Sequence, residues 1–120
     1  MLRIYEVALQ VLRDLREAID RIEQRDRPLG LQTRKCGASI VLNLAEGSGS
    51  IKGTQRARYA NALGSAKELR GCVDVAVALG YIEGDQRREL SAAFEQNEKT
   101  LAAVRRDEAQ LTAVFRRPEN

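Results

Sequence analysis

Seven polar residues are spaced so that they could act together on two neighbouring helices. Steps of three and four place the members of each line on one face of a helix. The two lines are Ser39, Asn43 and Glu46, followed by Arg58, Asn61, Ser65 and Glu68. Hydroxyl, amide, carboxylate and guanidinium groups in this arrangement could line a ligand or catalytic pocket, or form a hydrogen-bonded network that fixes helix register.

A glycine-rich segment separates these two lines. GSGSIKG, at residues 47–53, is typical of a turn or loop. If the flanking helices fold back on each other near residue 51, the lines come into register. The expected pairs are Glu46 with Arg58, Asn43 with Asn61, and Ser39 with Ser65. We interpret the lines first as a structural network, because a buried polar group without a partner costs about 1–3 kcal/mol.

The residue types argue against catalysis. The chain has no histidine, so it lacks the commonest general base and the commonest metal ligand. Two glutamates, Glu46 and Glu68, suggest a carboxylate-bridged metal site, but di-iron bundles use Glu-x-x-His pairs. A nucleophile at Ser39 or Cys36 would have no evident base and orienting partner. We therefore expect no enzyme activity, no cofactor and no metal.

The composition predicts one helical domain over residues 1–120. Apolar residues make up 43% and charged residues 31%, whereas aromatic residues make up only 4%. This balance favours long helices over a sandwich or barrel. No signal peptide is evident, and the longest uncharged run, at 36–45, is about half of a membrane span. Two cysteines, Cys36 and Cys72, are too few for a disulfide framework and are expected to be buried thiols of a soluble, cytoplasmic protein.

Apolar residues recur every three or four positions and predict four helices. The predicted helices run from Leu2 to about Arg25, from about Leu29 to Ser48, from about Thr54 to Leu79, and from Asp85 to the stop at Pro118. Short connections make neighbouring helices antiparallel, so the expected fold is an all-α, up-down-up-down four-helix bundle. Gly80 is expected in the left-handed conformation that follows a helix end.

Small residues inside the second and third helices indicate close contacts. A glycine inside a helix costs about 1 kcal/mol relative to alanine. We therefore expect Gly37, Gly64 and Gly71 to permit close helix approach or contact with another subunit. The long fourth helix would also leave apolar surface uncovered, which favours a homo-oligomer over a monomer.

The positive charge is concentrated in one segment. The net charge is +3, and residues 29–58 carry five basic groups against one acidic group. We predict binding of RNA or DNA through the phosphate backbone, with low sequence specificity because no aromatic residues are interleaved for base stacking. The alternative is a solvated helix face. The predicted contacts are Arg34, Lys35, Lys52, Arg56, Arg58, Arg105, Arg106, Arg116 and Arg117.

Three segments resemble a known family. The first has the pattern Q-x-R-(x)4-S-I-(x)2-N-(x)1-A-E-G, carried by Gln32, Arg34, Ser39, Ile40, Asn43, Ala45, Glu46 and Gly47. RYANALGSAKEL at 58–69 and LGYI at 79–82 follow it. The chain thereby resembles the four-helix-bundle proteins encoded in intervening sequences of bacterial 23S ribosomal RNA genes. Val41 departs from the pattern, since proline is common at that position.

The resemblance implies a five-subunit ring with a central channel and a poorly defined function. Related bundles include the accessory proteins of diversity-generating retroelements, which are basic pentamers that bind a reverse transcriptase and nucleic acid. A protein-interaction scaffold, such as a reverse-transcriptase accessory protein, therefore stays open as the alternative to nucleic-acid binding.

Overall fold

A computed structural model describes residues 3–49 and 51–83, with only the backbone at residues 3, 4 and 52. This part of the chain is all-helical. It contains α1 (Arg3–Arg25), α2 (Arg27–Ser48) and α3 (Lys52–Ala78). The bounds confirm the first three predicted helices to within two residues. The predicted fourth helix lies outside the described residues.

A single residue separates α1 from α2. Asp26 has an extended backbone, and its Oδ1 accepts the N–H of Leu29 at 3.1 Å, so it is the N-cap of α2. Pro28 occupies the first turn of α2, where its missing N–H leaves no helical bond unmade. The side-chain cap and the proline together explain why the chain reverses here.

The end of α3 is closed by backbone hydrogen bonds. Gly80 has a φ of 77°, as predicted, and its N–H donates to the carbonyl of Val77 at 3.0 Å. The N–H of Tyr81 donates to the carbonyl of Ala76 at 2.8 Å. These two bonds form a Schellman motif. Ile82, two residues beyond the glycine, is buried in the core.

The core forms where α2 packs against both α1 and α3. Its largest fully buried side chains come from all three helices: Leu15, Ile22, Ile40, Leu44, Tyr59 and Leu69. Both cysteines are buried and unoxidised, which confirms that part of the prediction.

Two glycines of α2 lie where a neighbouring helix comes close. A Cβ on Gly37 would stand 2.5 Å from Cδ2 of Leu12, and a Cβ on Gly30 would collide with the α1 backbone at Glu23. The close approach expected at Gly37 is therefore confirmed. Gly64 and Gly71 differ, because within the described residues nothing lies within 4 Å of a Cβ at either position.

None of the three described helices combines the length and the apolar character that crossing a membrane requires.

Candidate functional site: the polar groove between α2 and α3

A continuous set of hydrogen bonds links α2 to α3. We call Glu46, Arg58, Asn43, Ser39 and Ser65 the polar ladder. Nη2 of Arg58 lies 2.9 Å from Oε2 of Glu46, and Nη1 of Arg58 donates to Oδ1 of Asn43 at 3.5 Å. Nδ2 of Asn43 donates to the carbonyl of Ser39 at 2.8 Å and to its Oγ at 3.1 Å. The hydroxyl oxygens of Ser39 and Ser65 are 2.8 Å apart.

The remaining members of the two polar lines lie differently. Nε2 of Gln32 donates to Oε1 of Glu68 at 2.7 Å, one turn beyond the serine pair. The structure does not bring Asn61 to Asn43, because Asn61 is exposed and the amide oxygen of Asn43 faces Arg58 instead. The long side chain of Arg58 extends along the helix and takes the place opposite Asn43 that the predicted register gave to Asn61.

The polar ladder borders an open groove. Ser39, Asn43 and Ser65 are half-buried, and the side chains of Arg58 and Glu46 are 41% and 57% exposed. The two faces therefore meet, but within this chain they do not bury the polar groups as the network interpretation assumed. The reason is the rotation of each helix about its own axis. This rotation places apolar residues at the centre of the α2–α3 contact and the polar ladder on its solvent-facing side.

Cavities follow this groove among the described residues. One of about 280 Å³ lies beside Asn43 and Arg58, and one of about 170 Å³ lies between Ser65 and Glu68. A further one, of about 580 Å³, is bordered by Asp26, Pro28, Leu29, Gln32, Glu68, Gly71, Cys72 and Val75. The described residues that line it are apolar apart from acidic and amide groups, and none of them is basic.

The buried thiols are poorly suited to nucleophilic chemistry. Burial, together with the neighbouring Cys72 and Glu68, raises the pKa of Cys36 to about 12. The thiol of Cys36 therefore stays protonated at neutral pH, whereas catalytic cysteines are thiolates. Within residues 3–49 and 51–83, no group of three or more His, Cys, Asp or Glu side chains is placed to hold a metal ion.

A hydrogen bond between Asp26 and Tyr81 connects the start of α2 to the segment that follows α3. The hydroxyl of Tyr81 donates to Oδ2 of Asp26 at 3.2 Å, and the guanidinium of Arg25 lies 5.8 Å from the centre of the Tyr81 ring. Burial, followed by this bond to Asp26, raises the pKa of the Tyr81 phenol. Nothing in the sequence reasoning indicated this contact, although an Asp followed two residues later by Pro is a recognisable helix start.

The predicted nucleic-acid contacts fall into three groups. Arg58 and Arg34 form ion pairs. Arg58 pairs with Glu46 in the polar ladder, and Arg34 lies 3.4 Å from Asp20 and 3.3 Å from Glu23 on α1, a pairing that the sequence did not indicate. Lys35 is exposed and Arg56 is half-buried, and neither forms an ion pair within the described part of the chain. The rest have no described side chain: Lys52, Arg105, Arg106, Arg116 and Arg117.

Comparison with known proteins supplies the family. The family described as 23S rRNA-intervening sequence protein matches residues 1–103. The chain belongs to this family. The resemblance seen in the sequence is thereby confirmed at family level, whereas the relation to retroelement accessory proteins stays a prediction.

One solved structure supports the fold of this family member. It is the 1.70 Å crystal structure of a protein of unknown function from the S23 ribosomal protein family of Bacteroides thetaiotaomicron. The two share 16% sequence identity with a TM-score of 0.79, and the similarity covers 84% of this chain and 96% of the other. At that identity the likeness shows the fold alone. No curated protein matches the chain.

Proposed function

We propose that this protein is a non-catalytic, self-associating helical module that binds RNA or another nucleic acid through the phosphate backbone. The family membership and the helical fold are consistent with it, and the resemblance suggests five copies in a ring. The supporting observation is the basic excess in residues 29–58, which runs from α2 into the first turns of α3. An oligomer repeats that excess in every subunit, so a small charge per chain can neutralise several phosphates.

The surroundings of the basic residues fit this role. Lys35 and Arg56 have no carboxylate partner in the described part of the chain, so phosphate would compete with water alone. Arg34 and Arg58 do have carboxylate partners, but their side chains are 44% and 41% exposed. Exposed ion pairs contribute about 0–1 kcal/mol, so their loss offers little resistance to phosphate binding.

A salt series with one charge-reversal variant tests the proposal. We expect binding of single-stranded RNA and DNA of equal length to weaken steeply with KCl, with a log–log slope of roughly −0.7 per phosphate contacted. Arg56→Glu should lower the affinity several-fold and flatten the slope. The matched control is Arg16→Glu on α1, which makes the same charge change at an exposed position outside the basic segment.

Two results would overturn the proposal. Binding that is absent or insensitive to salt removes the electrostatic mechanism. Equal losses for Arg56→Glu and Arg16→Glu would indicate attraction to overall charge, with no role for the basic segment.

A second candidate is a protein-interaction scaffold, such as a partner of a reverse transcriptase. The observation favouring it is apolar exposure along the α2–α3 groove, since Leu42 is 61% exposed and Val75, beside the cavity of about 580 Å³, is 46% exposed. Charge reversal at Arg56 and Arg58 should leave an apolar protein contact intact while abolishing nucleic-acid binding. A reverse-transcriptase gene and template repeat beside this gene would favour the scaffold.

A further inference from the structure

The outer face of α3 carries an exposed repeat, of which Glu68 accepts a hydrogen bond from Gln32 of α2. Its residues follow steps of four and three, the spacing by which one helix presents a continuous seam to another. All seven are exposed. We call them the α3 stripe: Ala57, Asn61, Gly64, Glu68, Gly71, Val75 and Ala78.

The glycines of this stripe need an explanation that the described part of their own chain does not give. On α2, a Cβ on Gly30 would strike the backbone of α1, and a Cβ on Gly37 would displace the end of the Leu12 side chain. Gly64 and Gly71 have open space at the Cβ position, so alanine would fit and would strengthen the helix. Glycine at both positions makes sense where a side chain from outside the chain fills that space.

The outer face of α2 has complementary shapes at the same spacing. Leu31 and Leu42 project from it with 46% and 61% exposure. Both belong to a second run with steps of four and three, which we call the α2 stripe: Leu31, Lys35, Ala38, Leu42, Ala45 and Gly49. The large side chains lie on α2 and the gaps on α3, so the two stripes are complementary to each other and neither is complementary to itself.

We propose that the α3 stripe packs antiparallel on the α2 stripe of a second copy of this chain. Gln32 pairs with Glu68 and Ser39 with Ser65 within the chain, which fixes which levels of the two helices correspond. Two copies related by an axis parallel to the helices keep that correspondence. Leu31 of the second copy then lies at the level of Gly71.

The charges match at the same levels. Lys35 of the second copy falls beside Glu68. Within one chain these two residues border the cavity of about 170 Å³, but each is exposed and forms no ion pair in the described part of the chain. Leu42 of the second copy falls between Asn61 and Gly64. This contact rests on the self-association in the proposed function, and it assigns Lys35 to the subunit interface, leaving Arg56 among the groups that face nucleic acid.

A charge exchange tests the contact in the full-length protein. Lys35→Glu and Glu68→Lys, made singly, should each weaken self-association by about tenfold or more, as measured by sedimentation velocity and light scattering. The double variant restores the pair with opposite polarity and should recover association to within a few-fold of the wild type. Helical content from circular dichroism confirms that each variant is folded.

Filling the gaps tests shape separately. Gly64→Leu should reduce the assembled mass, whereas Gln24→Leu, which adds a leucine at an exposed position of α1, should not. A monomeric wild-type protein would refute the contact. So would an oligomer whose mass is unchanged by the single charge variants, or a double variant that is no better than the singles.

The two proposals fail in different ways. A wild-type monomer that still binds RNA in the salt series removes the interface and keeps the nucleic-acid function. An oligomer that responds to the charge exchange but binds no RNA or DNA keeps the interface and removes that function.

Discussion

The carboxylate of Asp26 links the start of α2 to the segment that follows α3. Asp26 follows α1 directly, its Oδ1 caps α2 at Leu29, and its Oδ2 accepts the hydroxyl of Tyr81 just after α3. We predict that Asp26→Ala lowers the free energy of unfolding by about 1–2 kcal/mol, since loss of an N-cap alone costs about 0.5–2 kcal/mol. For a chain of this length the melting temperature should fall by roughly 4–8 °C.

A double-mutant cycle separates the two roles of the carboxylate. Asparagine is as good an N-cap as aspartate, so Asp26→Asn should retain most of the capping contribution. Tyr81→Phe removes only the hydroxyl bond, and it should have no further effect once Asp26 is alanine. The control is Asp14→Ala, an exposed carboxylate in the middle of α1 whose loss should cost less than about 0.5 kcal/mol.

Urea and thermal unfolding followed by circular dichroism give the required free energies. If Asp26→Asn destabilises the protein as much as Asp26→Ala, capping does not explain the effect. If Tyr81→Phe keeps its full cost in the Asp26→Ala background, the phenol has another partner and the link between α2 and the end of α3 is wrong.

Three further perturbations test the core and the groove. Ser39→Ala and Ser65→Ala should couple by about 0.5–1.5 kcal/mol in a double-mutant cycle of unfolding free energies, because the hydroxyls bond each other, and additive effects would contradict this. With a pKa of about 12, the fraction of Cys36 present as thiolate rises about tenfold per pH unit below that value. The rate of Cys36 alkylation by iodoacetamide, followed by peptide mass spectrometry, should therefore increase throughout pH 7–10. A plateau in that rate near pH 9 would refute the raised pKa. Gly30→Ala should lower the melting temperature, because its Cβ would meet the backbone of Glu23 and overpacking costs about 1–3 kcal/mol, and an unchanged or higher melting temperature would refute this close approach.

The helices could be predicted because each boundary depends on local chemistry. Apolar spacing sets the three helical spans, and Gly80 ends α3 because a left-handed residue is favourable there. The N-cap was missed for a local reason as well. The predicted start of the second helix, Leu29, lies after the proline. In the structure the cap at Asp26 allows the helix to begin at Arg27, before the proline.

The positions of the site residues along the helix axes could be predicted from the sequence, but the directions in which their side chains point around those axes could not. Folding the chain at the glycine-rich loop places Ser39 level with Ser65 and Glu46 level with Arg58, as the contacts show. Periodicity alone does not fix how far each helix rotates about its axis. The half-exposed ladder and the exposed Asn61 follow from that rotation, which the packing of the apolar core determines.

The arginine ion pairs bear directly on the proposed nucleic-acid binding. Arg34 is held by two carboxylates of α1 and Arg58 by Glu46, which would argue against phosphate contacts if those pairs were buried, since breaking a buried pair costs several kcal/mol. At the exposures observed, each pair contributes about 0–1 kcal/mol. The guanidinium groups are therefore oriented by weak contacts, and a phosphate can replace a carboxylate as a bidentate acceptor. The displaced carboxylates remain nearby as unpaired negative charges. Each exchange therefore gains less than a contact by Arg56, which has no ion-pair partner to release among residues 3–49 and 51–83.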